Sequence, residues 1–221
     1  MVELLMMDGD VLKDTAKFQI AMELVGEKRR AKVEKMMKEE SKRLSLCAGL
    51  LLRYAFSKLN QIALYNEIEI TEKGMLYLPN HEYYFSLSHS GQFAICGFSL
   101  ESVGCDIEKM RDRLPRVAKI FSPEEEQFSY ELDDENKKAF FFQLWTRKES
   151  VTKWMGTGIT YPFNSFTVMD GLRNRNIIFI EGKKLCLKSF QMEDYMISLC
   201  NERGNFPQEV KKIDWNILIE N

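Results

Sequence analysis

At 221 residues, with 45% hydrophobic and 29% charged positions, the chain has the makings of one large globular domain or two small lobes with a real core. A formal net charge of −2 excludes the strong positive excess of a general nucleic-acid binder. Five cysteines, Cys47, Cys96, Cys105, Cys186 and Cys200, form no C-x-x-C pair and sit mostly among apolar residues, so they read as reduced core thiols. Met1 to Asp10 is acidic and lacks the basic start of a signal peptide, and no apolar run reaches the ~18 residues of a membrane span. The expectation is a cytoplasmic protein with neither nucleic acid nor membrane as a partner.

In chain order, Glu3 to Met7 reads as a first strand, and residues 13–40 as charged, solvated helix. Ser41 is placed to cap a core helix over 41–59, in which Leu44, Cys47 or Ala48, Leu51, Ala55 and Leu59 recur at three- and four-residue steps. Residues 66–80 hold short strands and turns around Gly74 and Pro79. Tyr84 to Ser88 alternates, with Phe85 and Leu87 on one face and Ser86 and Ser88 on the other. Ser90-Gly91 turns the chain into a strand over 93–100. A further strand is expected over 103–108, and a basic, loop-like stretch over 109–120.

Ser122-Pro123-Glu124-Glu125 carries the cap, the first-position proline and the capping-box glutamate of a helix start. A second long helix covers 135–155 and is ended by Gly156, Gly158 and Pro162. Strands are expected at 163–169, 176–181, 184–190 and 194–201, and 210–220 is ambiguous. Each long helix thus goes with a strand hairpin, which predicts an α+β fold of two similar lobes, divided as 1–105 and 106–221.

Three stretches carry chemistry. In Val103-Gly104-Cys105-Asp106-Ile107-Glu108, strand alternation puts both carboxylates on one face. Carboxylates so placed repel unless a cation lies between them, and a hard oxygen-liganded ion such as Mg²⁺ suits the task; the bland alternative is an edge strand with solvated acids. On the helix Phe140 to Met155, at about 100° per residue, Phe140, Leu144, Val151 and Met155 form an apolar stripe. Trp145, Glu149 and Lys153 cluster opposite it together with Phe142, so Glu149 and Lys153 are either interface charges or a surface i,i+4 pair. Ser86-Leu87-Ser88-His89-Ser90-Gly91 is either a self-bonded turn or a polar site holding one of only two histidines.

Taken together and in order, these stretches resemble the 4′-phosphopantetheinyl transferases. The likeness is to the larger, two-lobed, surfactin-synthetase-activating kind. The family pattern (N/S)-x-S-H-S, G-x-D-x-E and W-x-x-K-E-(S/A)-x-x-K appears here as Ser86 to Ser90, Gly104 to Glu108 and Trp145 to Lys153, and the resemblance covers roughly residues 27–160. It implies two α+β lobes forming a pseudo-dimer within one monomer, with the active site at their junction. It implies transfer of the phosphopantetheine arm of coenzyme A to a serine of an apo acyl or peptidyl carrier protein, releasing adenosine 3′,5′-bisphosphate. The metal would be Mg²⁺ on Asp106, Glu108 and Glu149. Glu149 and Lys153 would be catalytic, as proton acceptor and as charge partner of the leaving phosphate. Coenzyme A would meet Lys32, Lys35, Ser45, Ser88, His89, Lys148 and Lys153. One departure stands out: the family's upstream G-K-P appears as Gly74-Met75-Leu76, with Lys73 next door. A metal-dependent nuclease is disfavoured because Glu108 stands where its common lysine would be, and a non-catalytic carrier-binding module need not keep all of Asp106, Glu108, Glu149 and Lys153.

Overall fold

The computed structural model describes residues 1–72, 74–112, 114 and 120–220, apart from the side chains of Glu135 and Ile159. In chain order it forms β1 (Glu3–Asp8), α1 (Thr15–Leu24), α2 (Glu27–Glu34), α3 (Glu39–Lys58), α4 (Ile62–Asn66), β2 (Glu69–Ile70), β3 (Leu76–Tyr77), β4 (Tyr84–Ser90), β5 (Phe93–Ser99) and β6 (Gly104–Lys109). There follow α5 (Pro123–Ser129), α6 (Asp134–Met155), β7 (Met169–Asp170), β8 (Arg173–Asn174), β9 (Ile177–Ile180), β10 (Lys183–Met192), β11 (Tyr195–Asn201), β12 (Lys211–Lys212) and α7 (Trp215–Ile219).

The chain divides into two compact units, Met1–Glu101 with the stretch from Pro207 onward, and Ser102–Phe206. In the first, the sheet order is β12-β1-β5-β4. β1 runs antiparallel to β5 and parallel to β12, with Leu5 opposite Cys96 on one side and Lys211 on the other. α3 lies on this sheet, joining Leu46, Leu50 and Phe56 to Leu5, Met7, Cys96 and Phe98 in one core. The Phe56 ring meets Phe98 edge-on, 5.1 Å between centroids. In the second unit the order is β6-β11-β10-β9, antiparallel throughout. α6 packs on β6 and β11, and Phe140, Phe142, Leu144 and Val151 join Leu185, Leu187 and Met196 in a second core. Each unit is thus a four-stranded sheet under one long helix, as the helix–hairpin order predicts.

Several expectations are corrected. The division at 105/106 is replaced by one in which β6 belongs wholly to the second unit and the C-terminal stretch rejoins the first, because β12 hydrogen-bonds to β1. Ser41 does not cap α3, which begins two residues earlier after Lys38 without a side-chain cap. Leu59 ends that helix and is exposed rather than core. The strand expected at 163–169 is absent: Phe163–Ser165 forms a single 3₁₀ turn, and pairing begins only at Met169. The capping box at Ser122 forms as expected, and Asp133 caps α6 by accepting from the Asn136 amide. At the far end Gly156, at φ +70°, makes the left-handed exit that favours glycine.

Candidate active site

The second unit assembles the acidic cluster from β6 and α6. Alternation along β6 puts Asp106 opposite Ser198 and Glu108 opposite Met196 of β11, while Cys105 and Ile107 point to the other face and are fully buried. Gly104 lets the helix come down on the strand. A Cβ there would lie 1.8 Å from the Ser150 carbonyl oxygen and 2.7 Å from the Trp154 amide nitrogen. Backbone contact at Ser150 sets the neighbouring turns of α6, which carry Glu149 and Lys153, against the carboxylates of β6.

The Lys153 Nζ donates to Asp106 Oδ1 at 2.6 Å; the Asp106 side chain is 5% exposed and that of Lys153 25%. Loss of hydration pulls the Lys153 ammonium down, but the charges of Asp106, Cys105 and Glu149 outweigh it and hold it above its ordinary value. Glu149 is 9% exposed. Burial, then the Asp106 charge, with Lys153 opposing and Glu108 adding, push its carboxyl up to about 7. Glu108 is half-buried, with Arg111 Nη2 3.9 Å from its Oε2. Asp106, Glu149 and Lys153 are therefore brought together, and Glu108 within electrostatic reach.

The donor set suits a hard divalent cation: three carboxylates, no sulfur or imidazole, and a crowding of negative charge that lifts the proton affinity of Glu149. As the side chains stand, Lys153 is the cation on Asp106. Among the described residues no three His, Cys, Asp or Glu side chains are gathered closely enough to share one ion.

Lys148 is corrected. Expected at a phosphate, it has 0% exposure and spends its ammonium protons inside the unit. It pairs with Glu125 Oε2 at 2.6 Å and donates to the carbonyls of Phe163 (2.6 Å) and Phe166 (2.7 Å). Those two carbonyls turn toward the lysine, which is why the expected strand at 163–169 does not form. Glu125 also accepts from the Ser122, Val168 and Met169 amides. Beside it Arg147, equally buried, reaches Val168 and Arg175 carbonyls and Ser189 Oγ. Ser189 and Ser198 bond each other, and Ser198 bonds Thr146. Sequence reasoning missed Arg147, Glu125 and the two serines. Glu125 does close its capping box, but its other partners lie 23 and more residues away and leave no local signal.

In the first unit, Ser86, Ser88 and Ser90 share the buried face of β4, while His89, opposite Ala94, is exposed. Lys32, in the last turn of α2, and Lys35, at its C-cap, are exposed. Loss of hydration and the Arg29 charge lower Lys32. Ser45, expected on the coenzyme A side, is buried in α3, and Arg29 donates to both its carbonyl (3.2 Å) and its hydroxyl (3.5 Å). Gly74 takes a left-handed turn at φ +82°, Met75 and Leu76 follow it, and Lys73 lies outside the described residues.

Comparison with known proteins bears on this geometry. Residues 102–200 match the model of the 4′-phosphopantetheinyl transferase superfamily, and residues 13–99 the model of the 4′-phosphopantetheinyl transferase N-terminal domain. The chain is similar to the 4′-phosphopantetheinyl transferase Sfp of Bacillus subtilis (strain 168), 26% identical over 90% of this chain and 91% of that protein. It is similar to the transferase ffp of Bacillus subtilis, 28% identical over 90% and 91%. It is 31% identical to the transferase gsp of Aneurinibacillus migulanus over 71% of this chain and 68% of that protein.

Proposed function

Because the chain belongs to the 4′-phosphopantetheinyl transferase family, we propose that it moves the phosphopantetheine arm of coenzyme A onto the serine hydroxyl of an apo acyl or peptidyl carrier protein and releases adenosine 3′,5′-bisphosphate. The observation that carries this reading is the convergence of Asp106, Glu149 and Lys153 beneath the Gly104 contact. Attack on a pyrophosphate phosphorus needs alignment and charge neutralisation more than covalent chemistry.

Glu149, with a carboxyl near 7, is poised to accept the serine proton at neutral pH. Lys153, kept protonated by its acidic neighbours, neutralises the leaving phosphate. Asp106, Glu108 and Glu149 would hold Mg²⁺, which supplies charge neutralisation at the pyrophosphate. Ser88, His89, Lys32 and Lys35 are proposed for the coenzyme A side. The protein is read as a cytoplasmic monomer; no helix among the described residues is long and apolar enough to cross a membrane.

The test is incubation of the purified chain with coenzyme A, Mg²⁺ and a panel of apo carriers. Expected are a carrier mass raised by one phosphopantetheine arm, an equal amount of adenosine 3′,5′-bisphosphate, and loss of both products on chelation or in Asp106→Ala. Unmodified carriers across the panel would sink the reading.

A further inference from the structure

Arg147 and Lys148 follow one another on α6, and both have 0% exposure. Between them they hold one stretch of chain: Lys148 the carbonyls of Phe163 and Phe166, Arg147 those of Val168 and Arg175. Glu125 closes the arrangement from the other side, pairing with Lys148 and accepting from the amides of Val168 and Met169. Arg147 is tied to the sheet as well, through Ser189 Oγ at 3.0 Å. Among the described residues Arg147 has no carboxylate at ion-pair distance, so of the two buried cations only Lys148 is ion-paired.

Stability alone is a poor reason for this. Taking a guanidinium out of water is expensive, and well-packed apolar side chains of similar volume often serve as well or better. What fixed carbonyls give, and an apolar stripe does not, is direction. A helix resting on apolar contacts can slide or roll; one held by a guanidinium fork and an ammonium at four carbonyls cannot. The residue next to this clamp is Glu149, and Lys153 lies a little over one turn further on.

We propose that Arg147 and Lys148 are positioning residues, whose contacts to the 163–175 stretch fix the rotation and axial place of α6 so that Glu149 and Lys153 meet Asp106. This rests on the reading of Glu149 and Lys153 as catalytic.

The test uses the full chain in two forms, Arg147→Met and Lys148→Met combined with Glu125→Gln. Each removes buried charge while keeping side-chain bulk. A positioning role predicts urea midpoints close to wild type, kcat lowered about 10- to 100-fold, and KM for coenzyme A and carrier within about twofold. Arg147→Lys, which keeps the charge but loses the fork, should recover part of the rate. A folded Arg147→Met with wild-type kcat overturns the proposal. So does failure of both forms to fold, because the clamp would then serve stability rather than placement. If the wild-type chain transfers nothing to any carrier, the functional reading falls by itself. The clamp is then judged from a crystal structure of Arg147→Met: an opened Lys153–Asp106 pair upholds it, and an unchanged pair refutes it.

Discussion

Gly104 and Ser150 meet backbone to backbone: the space a methyl group would need on Gly104 is already filled by the Ser150 carbonyl oxygen, 1.8 Å from it. No side chain can swing aside to relieve that contact, since the obstructing atoms belong to the helix itself. Gly104→Ala should therefore separate α6 from β6, destabilising the second unit by about 3 kcal/mol or more and removing transfer activity. Urea unfolding followed by tryptophan fluorescence measures the first, and an alanine form with the wild-type midpoint would contradict the contact.

Glu149 makes stability and activity pull in opposite directions. Its carboxyl is raised to about 7, chiefly by burial and then by Asp106. Stability carried by the neutral form is full below the ordinary 4.5 and is lost as pH rises through 7. In metal-free buffer at pH 8, Glu149→Gln should melt above wild type, by about 2–4 °C for each kcal/mol recovered. At pH 4.5 the two should coincide, and the variant should transfer nothing. If Glu149→Gln instead melts below wild type at pH 8, the carboxylate is not under strain there.

None of the five cysteines is in a disulfide, and all are buried. Burial, with Asp8 adding, pushes the Cys47 thiol up to about 12, and burial pushes Cys200 higher still. The folded state thus holds protons that the unfolded chain releases near 9, and stability falls as pH climbs from there toward 12. Cys47 and Cys200 each contribute about 1.4 kcal/mol per pH unit in that window. Cys47→Ala should lose less stability than wild type between pH 9 and 10.5. A thiol reagent at pH 8 should label the native protein only as fast as it opens.

The basic stretch after Glu108 is proposed to steer a carrier whose docking face is acidic. Lys109 faces Asp194 at 3.4 Å and Arg111 is exposed, whereas Arg113, Arg116 and Lys119 lie outside the described residues. Converting Arg113 and Arg116 to Glu should raise KM for the carrier, leave KM for coenzyme A unchanged, and lose its effect at high salt. Equal carrier KM values in the two proteins would make the stretch a bystander.

Much of this site is legible in the sequence because its chemistry is local. Asp106 and Glu108 two residues apart on a strand, and Glu149 and Lys153 four apart on a helix, declare their shared faces through backbone periodicity alone. Lys148 misled for the complementary reason. A polar side chain inside a motif looks like a ligand contact until its partner is seen, and Glu125 lies 23 residues away. The stretch 163–169 has the composition of a strand, yet Lys148 draws its carbonyls out of any ladder. The ambiguity of 210–220 has a similar root: β12 is only two residues long and takes its conformation from β1.

That last pairing has a consequence for synthesis. β1 leaves the ribosome ahead of its parallel neighbour, which follows only after the whole of Ser102–Phe206. At about 5–20 residues per second, β1 waits on the order of 10–40 s for that edge to be covered. An uncovered edge is the place where another chain can add. During that interval the second unit, whose strands all lie within one continuous stretch, can finish folding first. The nascent protein would thus close its later half before its earlier one.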